Sequence, residues 1–281
     1  MISRIKWNYV IAIALVAVLV YLYAIPYFRH IALHYKTKAL YSSLEHSHLP
    51  WQVVGQSEHG HNIYLLDIGR GETTTIIFGA FHGDEQTGFH LVCQLAESLY
   101  THPDWIHERA LLVPVVNPDG LLARTRTNAN GVDINRNFPT GNWSPVYTKK
   151  RYFPGINPGS EAETQIVMGL LEKYHPDKII TIHEALEMNN YDGPARELAE
   201  LLASYNHYPV TTDVGYATPG SFGNYAGKER KIPTVTLELP DTDVETAWQQ
   251  NWQGLIDAIN FRMNRNETAP VSADSSAAQK Y

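Results

Sequence analysis

Apolar residues in this chain recur in short β-branched blocks and in helix-spaced stripes, with polar turns between them. The blocks at residues 75–78, 178–180 and 233–236 are too short for helices and read as buried strands. Asn62–Ile68 alternates like a half-exposed strand. Residues 111–116 read as another strand, ending at Asn117-Pro118-Asp119-Gly120, a turn signal. Ser160-Glu161-Ala162-Glu163 looks like a capping box opening a helix through Val167, Leu170 and Leu171, and residues 194–205 and 243–263 have helical spacing. This alternation predicts an α/β fold, an open sheet with helices on its faces, over residues 42–263. Residues 124–158 are rich in Asn, Gly and Pro and show little periodicity. A long connection of that kind inside a domain is usually functional. Residues 264–281 are polar and Ala/Ser-rich and read as a disordered tail.

The N-terminus has a different pattern. Residues 9–25 form an uninterrupted apolar and aromatic run, preceded by Arg4 and Lys6 and closed by Pro26. Its length is near the lower limit for a membrane-spanning helix, and Tyr21, Tyr23, Tyr27 and Phe28 suit an interfacial belt. No Ala-x-Ala-like cleavage site follows, so residues 1–41 are expected to be a retained anchor and juxtamembrane segment, ahead of a cleaved signal or a buried helix. Basic residues on the two flanks balance and leave the orientation open.

Composition narrows the classes further. The chain has 281 residues and a net charge of -7, with no basic stripe, which argues against a nucleic-acid partner. The single cysteine, Cys93, excludes an internal disulfide and reads as a small buried hydrophobe on a helix.

The three blocks end in chemistry: Phe81-His82-Gly83-Asp84-Glu85, Thr181-Ile182-His183-Glu184, and Leu237-Glu238-Leu239-Pro240. Ligands bind at the carboxyl ends of strands in open α/β sheets. An imidazole and a carboxylate three residues apart on a tight turn can face one ion, and two imidazoles with a carboxylate are the ligand set of a catalytic zinc. The competing reading is that His82 and Glu85 only cap a helix and that His183 is structural. Glu184 is expected to be solvated, or else to support His183, and Asp84 to support the ligands rather than bind. Glu238 lies in an otherwise apolar strand. Burying a carboxylate costs several kcal/mol unless it is paired or neutralised, so Glu238 is a candidate base, with an arginine salt bridge as the alternative. Arg124, Arg126 and Arg136, among several asparagines, could hold a carboxylate or an oxyanion, or could form a solvated loop.

The order of these segments, with Asn117-Pro118-Asp119-Gly120 and Gly131-Val132-Asp133-Ile134-Asn135-Arg136-Asn137-Phe138 between them, resembles the zinc carboxypeptidases across roughly residues 55–240. The resemblance implies a single open mixed-sheet domain with helices on both faces. It also implies one Zn2+ held by His82, Glu85 and His183, with Glu238 as general base. Arg126 would stabilise the oxyanion, with Arg124 as a rival, and Asn135 and Arg136 would grip a terminal carboxylate. The family's mobile tyrosine has its nearest counterpart in Tyr216, one position off.

The segments at residues 190–195 and 216–225 resemble the murein peptide amidases within that family. This implies hydrolysis of the γ-D-glutamyl–meso-diaminopimelate bond of cell-wall peptides. With that substrate class, a single-pass inner-membrane protein with a periplasmic catalytic domain is the expectation. An ordinary carboxypeptidase, an N-acyl amino acid deacylase and a non-catalytic murein-peptide-binding module are the alternatives.

Overall fold

In the computed structural model, which describes residues 2–263, the block at Thr74–Phe78 is a strand with every residue buried. It lies inside an eight-stranded mixed sheet of β1 (Gln52–Gln56), β2 (Asn62–Ile68), β3 (Thr74–Phe78), β4 (Arg109–Val113), β5 (Lys178–Glu184), β6 (Met188–Asp192), β7 (Val210–Thr211) and β8 (Thr234–Leu239). The spatial order is β1-β2-β4-β3-β5-β8-β6-β7. The central strands β4, β3, β5 and β8 run parallel, β2 joins β4 antiparallel, and β6 joins β8 antiparallel.

Side-chain alternation divides the core between two faces. Ile77, Ile180, Ile182, Val235 and Leu237 pack on one face. They meet α3 (Gln86–Thr101), α6 (Arg196–Asn206) and α7 (Val244–Asn260) through Leu95, Leu198 and Leu255. Ile76, Phe78, Leu111 and Ile179 face the other way, toward Val167 and Leu170 of α5 (Ala162–Tyr174) and a cluster of Phe81, Phe138 and Phe222. Cys93 is buried in α3.

Several local expectations change. The strand expected over residues 111–116 ends at Val113, and the Asn-Pro-Asp-Gly segment opens a helix, α4 (Pro118–Ala123). Asn117 is its N-cap, accepting the Gly120 N–H at 2.8 Å, and Pro118 occupies the first turn, where a missing N–H costs nothing. The capping box does not form. Glu161, not Ser160, is the N-cap of α5, and its carboxylate instead accepts the Asn128 and Asn130 amides at 2.8 and 3.0 Å. Strands β1, β6 and β7 were not expected. In β6 the buried positions are Asn189, Asn190 and Asp192, so the hydrophobic alternation that marks a strand is absent.

Residues Met1–Ser47 make a separate compact unit, and a second begins at His48. The first unit contains α1 (Ile2–Leu19), a π-helical turn at Val20–Ala24, and α2 (Ile25–Ser43). The helix was expected to close at Pro26 but continues through it. Proline lacks an N–H and crowds the carbonyl four residues back; the widened turn just before it absorbs that mismatch. Residues 7–46 are long and apolar enough to cross a membrane, with mean hydropathy 2.4 in the most apolar window. The tail expected over residues 264–281 lies outside the described residues.

Candidate metal centre and active site

Strand ends and one tight turn carry the candidate chemistry. After β3 the chain turns at Ala80, whose φ of 41° is in the left-handed region that residues with a Cβ rarely adopt. The turn is tied down by the Asn117 N–H, which donates to the Ala80 carbonyl at 3.1 Å. Gly83 is needed here: a Cβ would run into the backbone of Gly120 and Leu121. Glu85 occupies the N-cap position of α3 but makes no side-chain cap, which excludes the helix-capping reading.

Its carboxylate instead turns toward the two histidines. Glu85 Oε1 is 2.7 Å from His82 Nδ1, and Glu85 Oε2 is 2.8 Å from His183 Nδ1. The two Nδ1 atoms are 3.2 Å apart. All three residues are buried, and their candidate ligand atoms lie within 4.8 Å of one another. Two imidazole nitrogens converging on one carboxylate are a donor set that fits a divalent cation with an open coordination position. Phe81 stacks on the His183 ring at 5.7 Å between centroids, which holds the imidazole in place.

Asp133, buried in the Asn/Arg loop, supports the cluster. Its Oδ1 lies 3.1 Å from His82 Nε2, the ring nitrogen facing away from Glu85, and its Oδ2 accepts Arg126 Nε at 2.9 Å. This is the carboxylate partner that metal-binding histidines regularly have. Burial opposes ionisation of Glu85 and Asp133, yet both carboxyls are held well below their usual range, Glu85 by His82 and His183 and Asp133 by His82 and Arg126. Burial and Arg126 push the His82 imidazole down, but Glu85 and Asp133 outweigh them and raise it. The cluster favours positive charge at its centre.

Asp84 and Glu184 depart from expectation. Asp84 is exposed, pairs with Arg151 at 3.6 Å and is not part of the His82–Glu85–His183 cluster. Glu184 is only partly exposed: it accepts the Thr87 N–H at 2.6 Å in the first turn of α3, where an acceptor satisfies an orphan donor. Burial first, and Glu85 second, push its carboxyl up to about 8.

Glu238 lines the same cavity, of about 550 Å³, as the triad, Arg126, Asn135 and Arg136. It is buried, and its Oε2 has no hydrogen-bond partner. Burial raises its carboxyl above the usual range. No salt bridge to an arginine is formed by Glu238 among the described residues, so that alternative is set aside. Arg126 reaches the triad, with Nη1 3.4 Å from Glu85 Oε1. Arg124 sits exposed in the left-handed C-cap of α4 and does not line the cavity. Asn135 Oδ1 accepts the Phe222 N–H at 2.8 Å, and Phe138 N–H donates to Gly220 at 3.0 Å. The segment around Pro219-Gly220-Ser221 is thereby docked against Asn135 and Arg136. Tyr216 lines the same cavity and is 53% exposed.

The zinc carboxypeptidase family profile matches residues 40–196. The chain belongs to the zinc carboxypeptidase family. It is a metallopeptidase or amidase by that membership, the family is zinc-dependent, and the His82–Glu85–His183 cluster supplies a matching donor set. Murein peptide amidase A of Escherichia coli K12 is 36% identical over 183 residues, covering 61% of this chain and 73% of that protein. Its counterpart in Vibrio campbellii is 32% identical over 193 residues, covering 64% and 75%. The crystal structure of murein-tripeptide amidase from E. coli O157 superposes with a TM-score of 0.67 at 28% identity, covering 76% of this chain and 93% of that one. Carboxypeptidase A of Helicoverpa armigera shares the fold, with a TM-score of 0.65 at 20% identity, covering 75% and 68%.

In this zinc carboxypeptidase Asp133 supports a candidate ligand without standing out in the sequence pattern. The signal was present: an acidic residue two positions before Asn135, in a loop rich in candidate site residues, in a chain whose histidine ligands would need a carboxylate partner.

Proposed function

We propose that this chain is a zinc-dependent amidase that hydrolyses the γ-D-glutamyl–meso-diaminopimelate bond of murein peptides. The observation that carries the hydrolytic reading is the meeting, in one cavity, of the His82–Glu85–His183 triad and the unpartnered Glu238 carboxylate oxygen, with Arg126, Asn135 and Arg136 beside them. The substrate class is supported by similarity to the two bacterial murein peptide amidases.

His82, Glu85 and His183 would hold the zinc ion, which when bound lowers the pKa of a water and polarises a carbonyl oxygen. Glu238, raised by burial, takes a proton from the attacking water at its free Oε2 and returns it to the leaving amine. The Arg126 guanidinium, held by Asp133, presents positive charge where the oxyanion develops. Arg136 and the Asn135 amide group fix the free α-carboxylate of the diaminopimelate, so that the amide is held beside the base. Cleavage then removes a terminal residue, as in a carboxypeptidase, through a γ-linked bond.

The test is an assay of L-Ala-γ-D-Glu-meso-diaminopimelate beside ordinary C-terminal peptides and N-acyl amino acids. Release of diaminopimelate is expected. Cleavage of ordinary substrates alone would replace this reading with the carboxypeptidase or deacylase one. Binding without cleavage of any of them would point to a binding module.

The apolar N-terminal helix, exposed throughout its most apolar window, supports a single-pass anchor over residues 1–41; the murein substrate class favours a periplasmic location for the catalytic domain of residues 42–263. A topology reporter fused after Tyr281 is expected to be active on the periplasmic side. Activity on the cytoplasmic side would reverse the orientation.

A further inference from the structure

The active-site cavity has a second charged end. Asp192, the last residue of β6, lines it and is 8% exposed, and Lys228 reaches across to it with Nζ 3.2 Å from Asp192 Oδ1. Lys228 is its one ionic partner among the described residues, and the lysine side chain, which also lines the cavity, is 56% exposed. The backbone is built around this carboxylate. Lys228 belongs to the π-helical segment Gly223–Glu229, and a Cβ on Gly223 would strike the Asp192 carboxylate while one on Gly227 would strike its Cβ. Two glycines on successive turns thus let the segment lie directly on Asp192.

The β6–β8 ladder fixes where this pair stands relative to the chemistry. Met188 pairs with Glu238, Asn190 with Thr236, and Asp192 with Thr234. Residues paired across an antiparallel ladder, and those two apart along a strand, share one face. Glu238, Thr236, Asn190 and Asp192 therefore form one row along the cavity wall. At about 3.3 Å per residue, Asp192 is roughly 13 Å along the strand from Glu238. Side chains leaning in from both ends shorten that span. The four carbon–carbon bonds between the two amino-bearing carbons of diaminopimelate, each about 1.5 Å, span roughly 5 Å of it when extended.

We propose that Asp192 and Lys228 bind the distal amino-acid end of the substrate's terminal residue, Asp192 taking its ammonium and Lys228 its carboxylate. The inference rests on the murein-amidase reading above. A lone acidic residue at this depth would suit any basic side chain. An opposed acid–base pair matches a zwitterion instead, and Lys228 repels the plain ammonium of lysine. Burial raises the Asp192 carboxyl while Lys228 lowers it, so a second cation beside it would be welcome.

The test compares three tripeptides: one ending in meso-diaminopimelate, one ending in lysine, and one whose distal diaminopimelate carboxylate is amidated. For the unaltered protein, KM is expected to be at least about tenfold lower for the first than for the other two, as for a charged group left without its partner. Lys228→Ala is expected to erase that preference, with the loss for the diaminopimelate peptide falling on KM rather than kcat. Asp192→Asn is expected to raise KM for all three. Lys228 is mostly exposed, so its variant remains decisive if the buried Asp192 variant fails to fold. A preference that persists in Lys228→Ala overturns the proposal and leaves the amidase reading standing. Failure of the unaltered protein to cleave any of the three overturns both.

Discussion

His183 and Glu238 are direct partners in the parallel ladder between β5 and β8. Paired residues in such a ladder project to the same face, so a candidate metal ligand and the candidate base are held side by side by backbone hydrogen bonds rather than by loops. The adjacent Ile182 and Leu237 project into the core on the opposite face, which pins the register.

Glu238→Gln keeps the shape and removes the base. Hydrolysis is expected to fall by about 10²–10⁴-fold, the range of general acid–base catalysis, with bound zinc unchanged by metal analysis. His183→Ala is expected to lose both zinc and activity. Full activity in Glu238→Gln would remove that residue from the mechanism.

Asp133→Asn tests the support behind His82. Zinc affinity is expected to weaken about 10–100-fold by competition with a chelator, and activity to recover partly in excess zinc. An unchanged affinity would reduce the 3.1 Å approach to a structural contact.

The two loop arginines separate cleanly. Arg126→Ala is expected to lower kcat by about 10²–10³-fold with zinc retained, as for loss of an oxyanion donor. Arg124→Ala, at an exposed position outside the cavity, is expected to stay near the unaltered rate. The reverse pattern would exchange their roles.

Lys178, at the start of β5, is fully buried with no hydrogen-bond partner for its Nζ, and burial pushes its ammonium down to about 8. The unfolded chain holds the extra proton from about pH 8 up to the ordinary lysine value near 10.4, so folded stability rises with pH through that window. Below it the charged form is carried at a cost. Lys178→Met is expected to stabilise the protein by about 1–3 kcal/mol at pH 7 and by progressively less toward pH 10.5, by chemical denaturation. A gain independent of pH would assign the effect to packing.

Much of this was legible in the sequence because function sits where secondary structure changes. His82, Glu85 and His183 follow buried strand blocks, and Glu238 interrupts one, so pattern alone drew attention to them. Asp133 escaped because its link to His82 crosses 51 residues and depends on how the Asn/Arg loop folds. β6 escaped because its buried side chains are polar on both faces, Asn190 and Asp192 toward the cavity and Asn189 toward Asn206 on the other side, which removes the hydrophobic period. Glu184 was misread as solvated, since nothing local reveals that the N-terminus of α3 lies close enough to take its carboxylate. Pro26 ends helices in most settings, and a single π turn is a tertiary-level accommodation that composition does not announce.

The most direct measurement is release of diaminopimelate from L-Ala-γ-D-Glu-meso-diaminopimelate, followed by mass spectrometry for zinc-loaded, chelator-stripped and zinc-restored protein. Free diaminopimelate from the loaded protein, its loss on stripping and its return with zinc are expected. Release unaffected by stripping, or an intact γ-bond with fully loaded protein, would contradict a zinc-dependent murein peptide amidase.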